Sequence, residues 1–170
     1  LRFSRWRRQN VDLLISNVYK TVKSTKKKVK FGISPAGNID NLYLSWSYYC
    51  DVKKWMNSNK YIDYICPQIY WTFTNKTCPF KKTCLRWAKL PRNKNVKLYI
   101  GLAGYRAGLS KSQAKAVSDI GWSKSNTILK REVMYGRSTK KVSGYVLFSY
   151  ADLSRKAASK EIANLKKIFK

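Results

Sequence analysis

The chain has no histidine at all, and only 8 of its 170 residues are acidic. Without histidine, the commonest general base and every Ser-His or Cys-His catalytic pair are excluded. A structural zinc site is disfavoured too, because none of the four cysteines forms a C-x-x-C pair. No apolar run approaches the roughly 18 residues that a membrane span needs, so no transmembrane segment is expected. No glycine-rich phosphate loop opens any of the helices read below, which disfavours nucleotide binding. Nothing resembles a recognition helix, an RNP motif or a finger, so no specific nucleic-acid binding is expected. No residue set demands a metal or an organic cofactor. The first residues, Leu1-Arg2-Phe3-Ser4-Arg5-Trp6-Arg7-Arg8, lack the apolar core of a secretory signal and do not begin with Met. A mature or partial product is the expectation.

What remains is a foldable, strongly basic chain. Hydrophobic residues make up 44% and aromatic residues 14%, which suits one packed domain. Thirty-six Lys and Arg give a net charge of +28. Such a field favours anionic partners, among them nucleic acid, anionic lipid and acidic wall polymers. It equally suits a merely solvated surface, because only Lys26-Lys27-Lys28 is dense. Cys66 sits in an apolar stretch and reads as a core residue. Cys78 and Cys84 either pair across a short loop in an exported protein or remain thiols.

Apolar periodicity gives the order of elements. Val11, Ile15, Val18 and Val22 mark a first amphipathic helix, and Val29–Ile33 a short strand. A helix is expected over 46–59, with Trp46, Tyr49, Val52, Trp55 and Met56 inward. A strand follows over 62–70, then a helix over 79–90 with Phe80, Cys84 and Trp87 inward. A strand over 96–102, a helix near 123–136, a strand over 142–148 and a closing helix with Ala158, Ile162, Leu165 and Phe169 complete the chain. Strand starts at 29, 62, 96 and 142 have a rhythm that suits half of a (β/α)8 barrel, which spends about 30 residues per unit. A doubly wound sheet also alternates in this way.

Each strand starts plainly and ends in polar or aromatic residues: Ser34 and Asn38; Gln68, Tyr70 and Trp71; Tyr105; Ser149 and Tyr150. The most informative case is Tyr61–Trp71. There an apolar run meets Pro67, which cannot donate to a sheet ladder, and continues as an amide among aromatic rings. Barrel strands converge their C-terminal ends on one face, where active sites lie.

At these ends the chain resembles the glycosyl-hydrolase-like 10 family of bacterial barrel proteins. The matching residues are Trp6–Asp12 (WRRQNVD), Phe31–Asn38 (FGISPAGN), Tyr61–Trp71 (YIDYICPQIYW), Leu98–Gly101 with Tyr105, and Gly144–Tyr150. The resemblance implies an α/β fold, the C-terminal half of a (β/α)8 TIM barrel (strands five to eight with their helices), spanning 1–170 with the first half absent. It implies a glycoside hydrolase of bacterial cell-wall glycan, secreted or cell-envelope associated; one branch looks like a hydrolase of peptide-stripped peptidoglycan strands. In the family, an Asp-rich motif precedes the helix that begins this chain and supplies acidic active-site residues. The expected partners are a polysaccharide or glycan substrate and either the missing barrel half or another copy. Ser34, Asn38, Gln68, Tyr70, Trp71, Tyr105 and Tyr150 are the expected substrate-binding residues.

Glycoside hydrolysis ordinarily uses two carboxylates, and the chain has only eight acidic residues. Asp12, Asp51, Glu132 and Glu161 fall on expected helices, and Asp63 at a strand start. Asp119 precedes a helix and is expected to cap it or the turn before it. Asp40 and Asp152 follow strand ends and are the remaining catalytic candidates, although a turn and a helix cap explain them equally. No acid/nucleophile pair emerges. A non-catalytic carbohydrate-binding remnant therefore stands beside the hydrolase reading, with a generic nucleic-acid binder a distant third.

Overall fold

Four parallel strands lie side by side in chain order: β1 (Gly32–Ile33), β2 (Tyr64–Ile65), β3 (Lys97–Leu102) and β4 (Gly144–Leu147). The computed structural model describes residues 3–44 and 48–169. A doubly wound sheet reverses its strand order at a switch point, whereas this order runs straight through. The α/β architecture is thus consistent with half of a barrel.

The register separates two faces, since alternate side chains point opposite ways. On one face Ile33, Ile65 and Leu98 align, followed by Ile100 with Tyr145 and Leu102 with Leu147. Ile65, Leu98, Ile100 and Leu102 are fully buried in the main core. The other face carries Gly32, Tyr64, Tyr99 and Gly144, then Gly101 with Val146. A Cβ on Gly32 would strike the Tyr64 ring, and one on Gly144 would crowd the Tyr99 ring. The glycines therefore make room for these two rings, whose centroids lie 5.3 Å apart. Towards the far end of β4 this second face opens to solvent, with Val146 48% and Phe148 58% exposed. In a closed barrel the remaining strands would cover it.

Strand lengths differ from expectation around Pro67. Ladder pairing in β2 stops at Ile65 and resumes as single bridges from Gln68 to Ala36 and to Gly101. Pro67 still accepts from Gly101 N at 2.9 Å, so the interruption removes a donor but keeps the strand in line.

Helix α1 (Phe3–Thr25) lays Val11 and Ile15 on the core, and its buried Asp12 accepts from Trp55 Nε1 at 2.6 Å and Lys54 Nζ at 2.7 Å. Of the helix expected over 46–59, only its middle forms among the described residues, as α3 (Val52–Met56), and a separate short helix, α2 (Ile39–Tyr43), precedes it. Tyr49, at φ 54, cannot belong to a right-handed helix, and Asp51 caps α3 by accepting from Lys54 N. Trp46 lies outside the described residues, while Val52, Trp55 and Met56 are inward as expected. Phe80, Cys84 and Trp87 are fully buried on α4 (Phe80–Ala88). An unanticipated α5 (Lys111–Ala116) starts at a reciprocal Ser110–Gln113 capping box. The helix expected from 123 begins later, as α6 (Ile128–Ser138), after a 3-10 turn at Ile120–Ser123. Helices α7 (Tyr150–Leu153) and α8 (Ser159–Lys166) end the chain. No helix among the described residues is long and apolar enough to cross a membrane. All four cysteines are free thiols, and burial pushes Cys66 up to about 11 and Cys84 up to about 12.

Two acids are buried in the helix layer. Glu161 of α8 accepts from Leu129 N at 2.6 Å and so caps α6 from outside the helix. Glu132, fully buried, has no hydrogen-bond partner for either oxygen among the described residues. Burial, and then the neighbouring Glu161 and Asp119, hold its carboxyl well above the usual 4.5. Below that ordinary value both folded and unfolded states keep the proton. As pH rises past it, only the unfolded chain ionises, so stability falls until the folded pKa is reached. Glu132→Met is expected to raise the unfolding free energy by about 1–3 kcal/mol at neutral pH. The gain should shrink towards pH 4, as measured by urea unfolding across pH.

Candidate functional site

The C-terminal ends of the strands carry two adjoining features. The first is polar. Ser34 Oγ donates to the Cys66 carbonyl at 2.9 Å, and Gln68 Nε2 donates to the Ser34 carbonyl at 3.0 Å. Gln68 N donates to Pro35 O at 2.9 Å, which holds the backbone between neighbouring strand ends. The Gln68 amide oxygen has no protein donor among the described residues.

The second feature is a ring cluster. Tyr70 meets Tyr105 edge-on at 5.6 Å and stacks on Phe148 at 6.3 Å, while Tyr105 meets Phe148 edge-on at 6.2 Å. Burial first, then Cys66 and Tyr105, raise the Tyr70 hydroxyl above its usual range, so at neutral pH it is a donor. Because Cys66 neighbours both Ser34 and Tyr70, the polar pair and the rings adjoin.

Two arginines pin the loops that hold these rings. Arg106 Nη1 donates to the Tyr70 carbonyl at 2.7 Å, joining the loops after β2 and β3. Arg155 Nη2 donates to the Tyr105 carbonyl at 2.7 Å, joining the loop after β3 to the segment after β4. Tyr105 N also donates to Phe148 O at 2.9 Å. Farther along, Asp119 accepts from Thr72 N at 2.8 Å and Thr72 Oγ1 at 2.7 Å. This corrects the expected cap: Asp119 makes no capping bond and instead anchors the segment just after Trp71.

The other expected site residues are placed differently. Trp71 is half-buried against Gly37, where a Cβ would run into the Gln68 carbonyl and crowd the Trp71 ring. The Gly37 carbonyl also accepts from Trp87 Nε1 at 2.7 Å, so that turn is locked. Asn38 caps α2, with its oxygen accepting from Asp40 N at 3.1 Å. Tyr150 heads α7 at 89% exposure, outside the ring cluster.

Phe148, Arg106 and Arg155 were missed at the sequence level. Phe148 had a readable signal, since Gly144, Val146 and Phe148 alternate along β4 and put it on the open face. The arginines had none, because in a chain with 36 cations two more carry no mark.

The carboxylates are committed elsewhere. Asp40 receives both Nη atoms of Arg86, at 2.6 and 2.8 Å, and this pairing lowers its pKa. Asp152 accepts from Ser149 Oγ at 2.7 Å; that bond lowers its pKa, and Arg155 lies 3.4 Å away. Both are therefore ionised at neutral pH, and neither can donate a proton as a general acid. Asp63 pairs with Lys23 at 2.6 Å and accepts from Phe31 N at 2.8 Å, at the opposite end of the sheet. Asp12, Asp51, Asp119, Glu132 and Glu161 hold or underlie helices and loops, as described above.

The glycosyl hydrolase-like 10 family model matches residues 2–119. The chain is 30% identical to glycosyl hydrolase DigH of Escherichia coli strain K12, over 94% of this chain and 38% of that protein. It is 31% identical to glycosyl hydrolase YngK of Bacillus subtilis strain 168, over 88% of this chain and 30% of that protein. It thus spans well under half the length of these curated relatives.

Proposed function

This chain belongs to the glycosyl hydrolase-like 10 family, and on that premise we propose that it supplies the substrate-binding half of a glycosidase acting on bacterial cell-wall glycan. In this reading it forms strands five to eight of a (β/α)8 barrel, and the acid residues that cleave the glycan lie in the other half. The observation that carries the proposal is the pairing of an aromatic ring cluster at the strand ends with an absence of available acid. Tyr70, Tyr105 and Phe148 present ring surface beside the Ser34–Gln68 pair, while the chain's carboxylates are engaged or buried elsewhere. Rings stack on the apolar faces of sugars, and the amide oxygen of Gln68 accepts from a hydroxyl or acetamido N–H. Trp71, Tyr150 and Asn38 extend the wall around them, and Asp40 and Asp152 serve as structural anchors. The setting proposed is secreted or envelope-associated.

The half-exposed Val146 and Phe148 on the open sheet face support a second part of this reading, as do Phe3, Trp6, Leu13 and Leu14 on the outer side of α1. We propose that these surfaces are covered by a complementary barrel half or by another copy. Two measurements test the whole reading. The chain is expected to co-sediment with insoluble peptide-free glycan strands and not with cellulose. In analytical ultracentrifugation the isolated chain is expected to self-associate. A monomer that melts cooperatively would contradict the second part, and equal retention on both polymers would contradict the first.

The non-catalytic alternative rests on the same engaged carboxylates. It differs in requiring no complementary half, so glycan binding by a stable monomer would favour it.

A further inference from the structure

A cavity of about 620 Å³ lies at the end of the sheet opposite the ring cluster. The segment between α4 and β3 forms one wall, and the segment between α6 and β4 forms the other. Lys89, Arg92, Lys94, Lys97 and Lys141 line it, and no carboxylate does. The floor is apolar, made by Leu85, Leu90 and Val96.

A basic protein has many exposed lysines, so the question is whether these five are compensated. None of the ion pairs in the described residues involves them. Asp12, Asp40, Asp63 and Asp152 pair with other cations. Asp51 caps α3, Asp119 holds Thr72, Glu161 caps α6, and Glu132 is sealed in the helix layer. The last carbonyls of α4 and α6 are near this space. Two helix ends offset about one unit of charge at most, which leaves most of the five uncompensated. Arg92 is also fixed in place: its Nη2 donates to the Lys141 carbonyl at 2.8 Å, tying one wall to the other. Burial lowers the Arg92 pKa, as expected for a guanidinium drawn partly out of water.

We propose that this cavity binds an organic diphosphate, with the two phosphates on the five cations and the body of the ligand on the Leu85–Leu90–Val96 floor. A multiply charged anion answers a cluster of cations that the protein leaves unpaired. The concave shape and apolar floor favour a discrete ligand over a polymer lying across a surface. This inference does not depend on the glycosidase reading, because the cavity is built from different loops at the other end of the strands.

The test is equilibrium dialysis of the full 170-residue chain against labelled pyrophosphate, with phenylglyoxal modification of Arg92 followed by mass spectrometry. Pyrophosphate is expected to protect Arg92 and to bind at least tenfold more weakly to a variant carrying Arg92→Gln, Lys94→Gln and Lys141→Gln. A control carrying Lys26→Gln, Lys27→Gln and Lys28→Gln loses the same charge and is expected to change binding less than twofold. Lys94→Gln with Lys141→Gln, which spares the Arg92 anchor, should fall between the two. Uridine diphosphate and geranyl diphosphate then separate a ring-bearing body from an aliphatic one, whichever binds more tightly. Equal weakening in the cavity and control variants, or no protection of Arg92, would overturn the site. Binding of both organic ligands no tighter than pyrophosphate would overturn the organic body.

Discussion

Replacing Tyr70 with alanine is expected to lower affinity for peptide-free glycan strands by roughly fivefold to thirtyfold, that is, by about 1–2 kcal/mol. Tyr70 is edge-on to Tyr105 and stacked on Phe148, and of the three ring pairs its contact with Tyr105 is the shortest, at 5.6 Å. Its removal takes away two of the three ring contacts and leaves only Tyr105 against Phe148. Tyr70→Phe keeps the ring and removes only the hydroxyl donor, so its loss should be smaller, near the value of one hydrogen bond. Calorimetric titration with solubilised glycan strands reads both variants. Unchanged binding in Tyr70→Ala would remove the ring cluster from the site.

The second large effect concerns stability. Asp119→Ala is expected to cost about 3 kcal/mol. The carboxylate is buried and accepts both the N–H and the hydroxyl of Thr72, itself buried, from 47 positions away. Removing it leaves the buried Thr72 N–H without an acceptor and the Thr72 hydroxyl with only Thr74 Oγ1 at 3.2 Å, so the penalty is larger than that of a lost surface bond. Asp119→Asn keeps a single acceptor oxygen and should recover part of the loss. Urea unfolding measures the cost, and hydrogen exchange at residues 71–74 locates it. A loss confined to the 3-10 turn at Ile120–Ser123 would mean that Asp119 acts locally after all.

How much of this was legible in the sequence depends on what kind of force sets each feature. Buried faces were readable because periodicity reports burial directly: Phe80, Cys84 and Trp87 on α4, and Leu98, Ile100 and Leu102 on β3, lie where their spacing puts them. The helix over 46–59 was misread for the same reason. Its apolar spacing persists through Tyr49, but a positive φ there breaks the helix, and aromatic spacing is silent about backbone handedness. Long-range polar contacts were invisible. Asp119 looks like a cap beside a turn, and only the fold brings it to Thr72. Asp40 looks like an acid at a strand end, and only the fold brings Arg86 to it. The placement of Gln68, Tyr70 and Tyr105 at strand ends was legible, because the strand-end rule needs only the order of elements. The straight strand order β1-β2-β3-β4 came only from the structure, since alternation alone leaves it undecided.

The central proposal is that this chain binds glycan and does not cleave it. The direct measurement is release of new reducing ends from peptide-free glycan strands by the purified 170-residue chain, with binding verified in the same sample. The expected result is retention of the chain on the glycan with no release above the buffer blank. Reducing ends formed at the rate of a full-length relative would contradict it, and would place a working acid pair among carboxylates that are here engaged or buried.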